Sequence, residues 1–163
     1  MVFQNPDDQL FSPTVFDDVA FGPINMGYSE AEVRQSVARA LDWVGMTGYE
    51  QRSPYHLSIG EKKRIAIATV LSMSPEILVI DEPTSNLDPQ SKWSLIELMR
   101  KLSATKIVAT HDLELVRALC PRTIVLDRGQ VIADGATDHI LADTLLLRAH
   151  GLAPAEVASK VEL

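Results

Sequence analysis

Ile77-Leu78-Val79-Ile80 runs apolar without a break and stops at two adjacent carboxylates, Asp81 and Glu82. A short aliphatic run rich in β-branched residues predicts a strand buried on both faces. Burying its four side chains is worth about 1.5–3 kcal/mol each. The two carboxylates then fall at the strand's carboxyl end, where open parallel sheets place their ligand crevice. Alone, the stretch also fits a structural strand ending in a charged turn that Pro83 closes.

The rest of the chain reads as strands alternating with helices. Val2-Phe3-Gln4 looks like the end of a strand, and a turn-rich loop runs from Asn5 to Pro13. A short helix is expected from about Thr14 to Phe21, closed by Gly22-Pro23. Ser29-Glu30-Ala31-Glu32 has capping-box spacing and opens a helix with Val33, Val37, Leu41 and Val44 on one face. Ser58-Ile59-Gly60-Glu61 repeats that spacing before a helix apolar nearly all round. Asp88-Pro89 starts another helix. Lys106 to Thr110 predicts a second buried strand, ending at His111-Asp112. A short helix over 113–119, a strand over 123–127, a hairpin through Arg128-Gly129-Gln130 and a helical stretch from about Asp138 to Ala149 complete the pattern. Residues after Leu152 are expected to be loosely held. The alternation predicts one α/β domain over 1–152 with a mainly parallel sheet.

Composition narrows the function. The net charge of -7 argues against a general nucleic-acid binder. One cysteine, Cys120, cannot build an internal disulfide framework and is expected to be a small buried hydrophobe. No apolar segment is long enough to span a bilayer, and the first residues lack a leader pattern. Any membrane role is expected to come through a partner.

Two strand ends carry complementary groups, Asp81-Glu82 and His111-Asp112. In neighbouring parallel strands they would share a crevice able to polarise water, hold a divalent cation or sense a phosphate. The Ser58 helix adds backbone N–H groups without intrahelical partners, and Gly60 leaves room beside them. That end serves equally as a well-capped structural helix.

These residues carry a resemblance. Ile77 to Asp88, ILVIDEPTSNLD, resembles the Walker B strand and D-loop of ATP-binding-cassette (ABC) ATPases. Leu57-Ser58-Ile59-Gly60-Glu61 resembles the family's signature, departing at Ile59, where glycine is usual, and at Glu61, where glutamine is commoner. Val2 to Pro6 resembles the Q-loop, and Ala109 to Asp112 the switch-histidine segment. The four motifs stand in the family's order from Val2 to Asp112. Asn5 to Phe11, with Val19 to Pro23, resembles the ATPase subunits of energy-coupling-factor transporters. Asp134 to Leu152 is similar to their cobalt and nickel uptake members.

The resemblance implies a P-loop NTPase-like fold with an inserted helical signature subdomain at about 13–75. It implies ATP and Mg²⁺ as cofactors. Asp81 and Gln4 would hold Mg²⁺. Glu82 would orient or deprotonate the attacking water, and His111 would touch the γ-phosphate. Ser58, Gly60 and Glu61 would bind the ATP of a second ATPase subunit, identical or paralogous, with Asp88 at the dimer interface. Integral membrane subunits would dock near the Q-loop, placing the protein peripherally at the cytoplasmic face of the membrane.

No G-x-x-x-x-G-K-[ST] occurs in the sequence. That loop supplies the phosphate cradle and the phosphate-binding lysine. The chain is therefore expected to lack the first βα unit, to be N-terminally incomplete, and to bind ATP weakly or not at all by itself. A catalytically inert subunit that lends its signature to a complete partner is the alternative, and a soluble non-transport ABC ATPase a second one.

Overall fold

In the computed structural model, which describes residues 1–153, the chain forms two compact units that meet in sequence at Thr110 and His111. The first unit is built around β1 (Ile77–Asp81) and β2 (Thr105–Ala109), which pair in parallel with Ile77 opposite Thr105 and Asp81 opposite Ala109. Val2 bridges to Ile80, also in parallel, through Val2 N to Val79 O at 2.8 Å and Asp81 N to Val2 O at 3.0 Å. The N-terminal segment and β1 thus run side by side, and both lead to the carboxyl end of the strand.

β1 is buried on one face, not on both as the aliphatic run suggested. Leu78 and Ile80 are fully buried and Val2 nearly so, while Ile77 and Ile107 are each more than half exposed. Side chains alternate along a strand, so the second face carries Ile77, Val79 and Ile107 together. Among the described residues nothing covers that face as completely. β2 is half-exposed for the same reason.

Four helices complete this unit: α1 (Val15–Asn25), α2 (Glu30–Trp43), α3 (Ile59–Leu71) and α4 (Pro89–Lys101). α1, α2 and α3 pack against one another, and α4 packs on α3. α1 runs past the expected stop at Gly22-Pro23. The missing Pro23 N–H leaves a carbonyl one turn back without its usual helix partner, yet the helix continues, with Met26 N donating to Gly22 O at 3.0 Å and the Asn25 side-chain Nδ2 to Phe21 O at 2.7 Å. Gly22 is there for packing: a Cβ would lie 2.6 Å from the Met73 sulfur.

Ser29 and Ser58 both form complete capping boxes, with Glu32 and Glu61. Each satisfies two donors that the first turn would otherwise orphan. Gly45, at φ +70°, turns the chain out of α2. α3 is buried almost all round, as its pattern predicts, and its buried set includes Lys63.

The second unit holds α5 (Leu113–Leu119), an antiparallel pair β3 (Arg122–Asp127) and β4 (Gln130–Ala136), α6 (Thr137–Ala142) and α7 (Thr144–Ala149). The expected hairpin turns at Arg128 and Gly129, both with positive φ, as a two-residue turn requires. The expected helical stretch is two helices, broken where Asp143 caps α7. Val116, Leu141 and Leu147 form one buried cluster of this unit, with Cys120 partly buried against them. Of the stretch expected to be loosely held, residues 154–163 lie outside the described residues.

Candidate functional site

The carboxyl end of β1 is held by the strand ladder up to its last residue. Glu82 N donates to Ala109 O at 2.9 Å, one step beyond the paired strands. Glu82 then turns into the left-handed region, with φ +40°. A non-glycine residue adopts that conformation only where its surroundings impose it. Here Ser85 N and Ser85 Oγ both donate to Glu82 O, at 3.2 and 2.9 Å. The Glu82 carboxylate accepts from Thr110 Oγ1 at 2.9 Å, which aims it along the end of β2. Asp81, half-buried, precedes it on the strand's open face.

Gln4 is brought to the same place. It follows the Val2 bridge by two residues, and its side chain is exposed. Its carbonyl and that of Glu82 accept from one ammonium, Lys63 Nζ, at 3.0 and 3.1 Å. The segment that follows Gln4 is fastened to α3 at two further points. The Gln9 amide donates to Ala66 O at 2.9 Å and to Thr69 Oγ1 at 2.7 Å, and Lys62 pairs with Asp7 at 2.6 Å.

Asp81 and Gln4 therefore stand at neighbouring strand ends with hard oxygen donors, a carboxylate and an amide. That donor set fits Mg²⁺, which takes few protein ligands and keeps several waters. Among the described residues there is no cluster of three or more His, Cys, Asp or Glu side chains suited to an all-protein metal cage.

The N-terminus of α3 makes a second polar surface. Ser58, Gly60 and Glu61 line a cavity of about 350 Å³ together with Arg64, Leu87, Gln90 and Ser91. The first turns of α3 and α4 meet here. A Cβ on Gly60 would sit 3.5 Å from Ser91 Oγ. Asp88 caps α4 by accepting from Ser91 N at 3.0 Å. Its bonds to Ser91 hold its carboxyl below the usual carboxylate range.

Glu61 is fully engaged. It accepts from Ser58 N and Ser58 Oγ, both at 2.8 Å, and from the Tyr49 hydroxyl at 2.8 Å. Those donors, the Ser58 amide first, lower its pKa, while the hydrogen bond that the Tyr49 hydroxyl donates to Glu61 pushes the Tyr49 pKa up. The Arg52 guanidinium stacks 3.9 Å over the Tyr49 ring. The Ser58 hydroxyl proton thus points to Glu61, and serving an anion requires that it turn away.

His111 is exposed and opens the second unit, and the next residue, Asp112, caps α5. The first unit by itself brings together Gln4, Asp81 and Glu82, and separately Ser58, Gly60, Glu61 and Asp88. Sequence reasoning assigned no role to Lys63, Gln9, Tyr49, Ser85 or Thr110. For Lys63 a signal existed: it lies in phase with Ala66, Ile67 and Val70, all buried, and a lysine on that face needs partners.

A family model described as "AAA domain, putative AbiEii toxin, Type IV TA system" matches residues 7–117. A Gloeobacter violaceus relative named "Putative ABC transporter ATP-binding protein gll0289" is 55% identical over 93% of this chain and 63% of its own length. The energy-coupling factor transporter ATP-binding protein EcfA of Methanothermobacter thermautotrophicus is 52% identical over 91% of this chain and 49% of its own length. The solved structure of cbiO1 from Clostridium perfringens, part of the ABC transporter complex cbiONQ, superposes with a TM-score of 0.79 at 40% identity. It covers 93% of this chain and 62% of that one. The chain thus spans less than two thirds of each of these proteins. The site motifs, these relatives and the shared P-loop NTPase fold agree: the chain belongs to the ABC ATPases, among relatives of the energy-coupling-factor type.

Proposed function

We propose that these residues form the hydrolytic and signature part of an ATPase that powers an energy-coupling-factor importer. The observation that carries the reading is Glu82, held at positive φ at the end of β1 with its carboxylate fixed by Thr110. A general base must be positioned before it can be effective, and Glu82 is positioned from both backbone and side chain. Asp81 and Gln4 would hold Mg²⁺, which would stabilise charge on the transferring phosphoryl group. His111 would meet the γ-phosphate. Ser58, Gly60 and the α3 N-terminus would face ATP bound to a second cassette, with Asp88 beside them at the dimer interface. Glu61 would act by controlling the Ser58 hydroxyl.

The phosphate cradle would come from a P-loop outside these 163 residues. The chain alone is expected to bind MgATP more weakly than micromolar, which calorimetry reads directly. In a chimera that supplies the P-loop unit of a full-length relative, Glu82→Gln is expected to lower turnover by about 10²–10⁴-fold. Undiminished turnover would remove Glu82 from the chemistry.

The membrane partner would dock beside the Q-loop. Phe11 and Phe21 pack edge to face at 5.3 Å, yet each is more than half exposed, as are Ile24 and Met26. The loop bearing Phe11 is held by Asp18, whose Oδ1 accepts from Phe11 N and Ser12 N at 3.1 and 2.9 Å. A fixed, exposed apolar patch suits a docking helix. No helix among the described residues is long and apolar enough to cross a membrane, so attachment at the cytoplasmic face would be through that partner. Cobalt or nickel is the proposed cargo, supported by the likeness of the segment from Asp134 to Leu152 to the cobalt and nickel uptake members. A chain that only lends its signature to a complete cassette is the second reading, supported by the separate surface that Ser58, Gly60 and Glu61 line.

A further inference from the structure

We infer that Lys63 is a positioning residue that ties the signature helix to the Q-loop and to the backbone turn at Glu82. Its side chain is 96% shielded from solvent, at 4% relative exposure. Its ammonium has three partners, Gln4 O at 3.0 Å, Glu82 O at 3.1 Å and Ser85 Oγ at 3.1 Å. All three are neutral oxygens. A buried ammonium is costly unless each of its three protons finds an acceptor. Here all three do, and each acceptor belongs to a different functional segment: the Q-loop, the end of β1 and the turn that follows it.

The consequence is geometric. Glu82 O receives Lys63 Nζ, Ser85 Oγ and Ser85 N. That concentration of donors on one carbonyl accounts for the positive φ of Glu82, which its side chain would not otherwise favour. The same ammonium holds the Gln4 carbonyl, so a shift of α3 moves the Q-loop and the Glu82 turn together. Lys63 lies five residues beyond Ser58 on the helix whose first turn forms the signature surface. Burial lowers its pKa, an effect that the nearby Glu82 opposes. That the coupling serves hydrolysis rests on the reading of Glu82 given above; the coupling itself does not.

Amide hydrogen exchange on the chain as it stands tests the coupling without nucleotide. Lys63→Met keeps the stem and removes the ammonium. It is expected to speed exchange of the Glu82 and Ser85 amides at least tenfold, while Val37 and Leu41 in α2 stay within threefold of the parent. Lys63→Arg, which restores charge and donors, is expected to bring both amides back toward the parent rate. Should the methionine variant fail to fold, Lys63→Gln takes its place with the same expectations. Unchanged Glu82 and Ser85 amides would overturn the inference. So would equal acceleration throughout α2, which marks general loosening, or an arginine variant as loosened as the methionine one. An inactive chimera combined with selective exchange would count against the proposed function and leave the coupling standing.

Discussion

Glu61 shows how one substitution at a family position changes local physics. A carboxylate where glutamine is commoner completes the Ser58 capping box and also takes the Tyr49 hydroxyl. Its pKa is lowered by those donors from its ordinary 4.5. A carboxyl that titrates lower when folded adds stability above its unfolded pKa and loses it as pH falls through the folded one. Urea midpoints measured between pH 7 and pH 3 are therefore expected to fall more steeply below about pH 4.5 for the parent than for Glu61→Gln. Parallel curves would show that the box does not depend on the charge. That Asp81 and Glu82 end a strand and that Ser58 and Asp88 open helices was legible, because periodicity and capping define those element ends; the roles proposed for them and for Gln4 come from the resemblance. Lys63 and Thr110 were not legible, because their roles depend on which atoms of distant segments they meet, 19 and 28 residues away from Glu82.

At the level of elements, the helices were easier to read than the sheet. Capping boxes at Ser29 and Ser58 and the Asp88-Pro89 start are local chemistry, and the structure places all three helices where that chemistry points. Pro23 misled because tertiary packing carried α1 through a residue that usually ends helices. β1 misled because an unbroken aliphatic run does not say how many faces are covered. The one-sided burial has a measurable signature. Ile80→Ala is expected to cost about 2–5 kcal/mol in urea denaturation, and Ile77→Ala, on the exposed face, within about 0.5 kcal/mol. Equal costs would mean that both faces are packed in solution.

Across the whole molecule, the first unit carries two separate polar surfaces joined by α3. One gathers Gln4, Asp81 and Glu82; the other gathers Ser58, Gly60 and Glu61, with Asp88 behind Ser91 at its edge. In the proposed ATPase the first would face the chain's own nucleotide and the second its partner's. Under that reading the second surface would not need a P-loop in the same chain, so it gives the most direct test. Sedimentation velocity of this chain mixed with a full-length energy-coupling-factor ATPase, held in its ATP-bound state by replacing its own hydrolytic carboxylate, reads that contribution. The expected result is a mixed pair that forms with MgATP, not without it, and not with Gly60→Asp, which sets a negative charge against the phosphate. No ATP-dependent pair, or one indifferent to Gly60→Asp, would contradict the assignment of this surface to a partner's nucleotide.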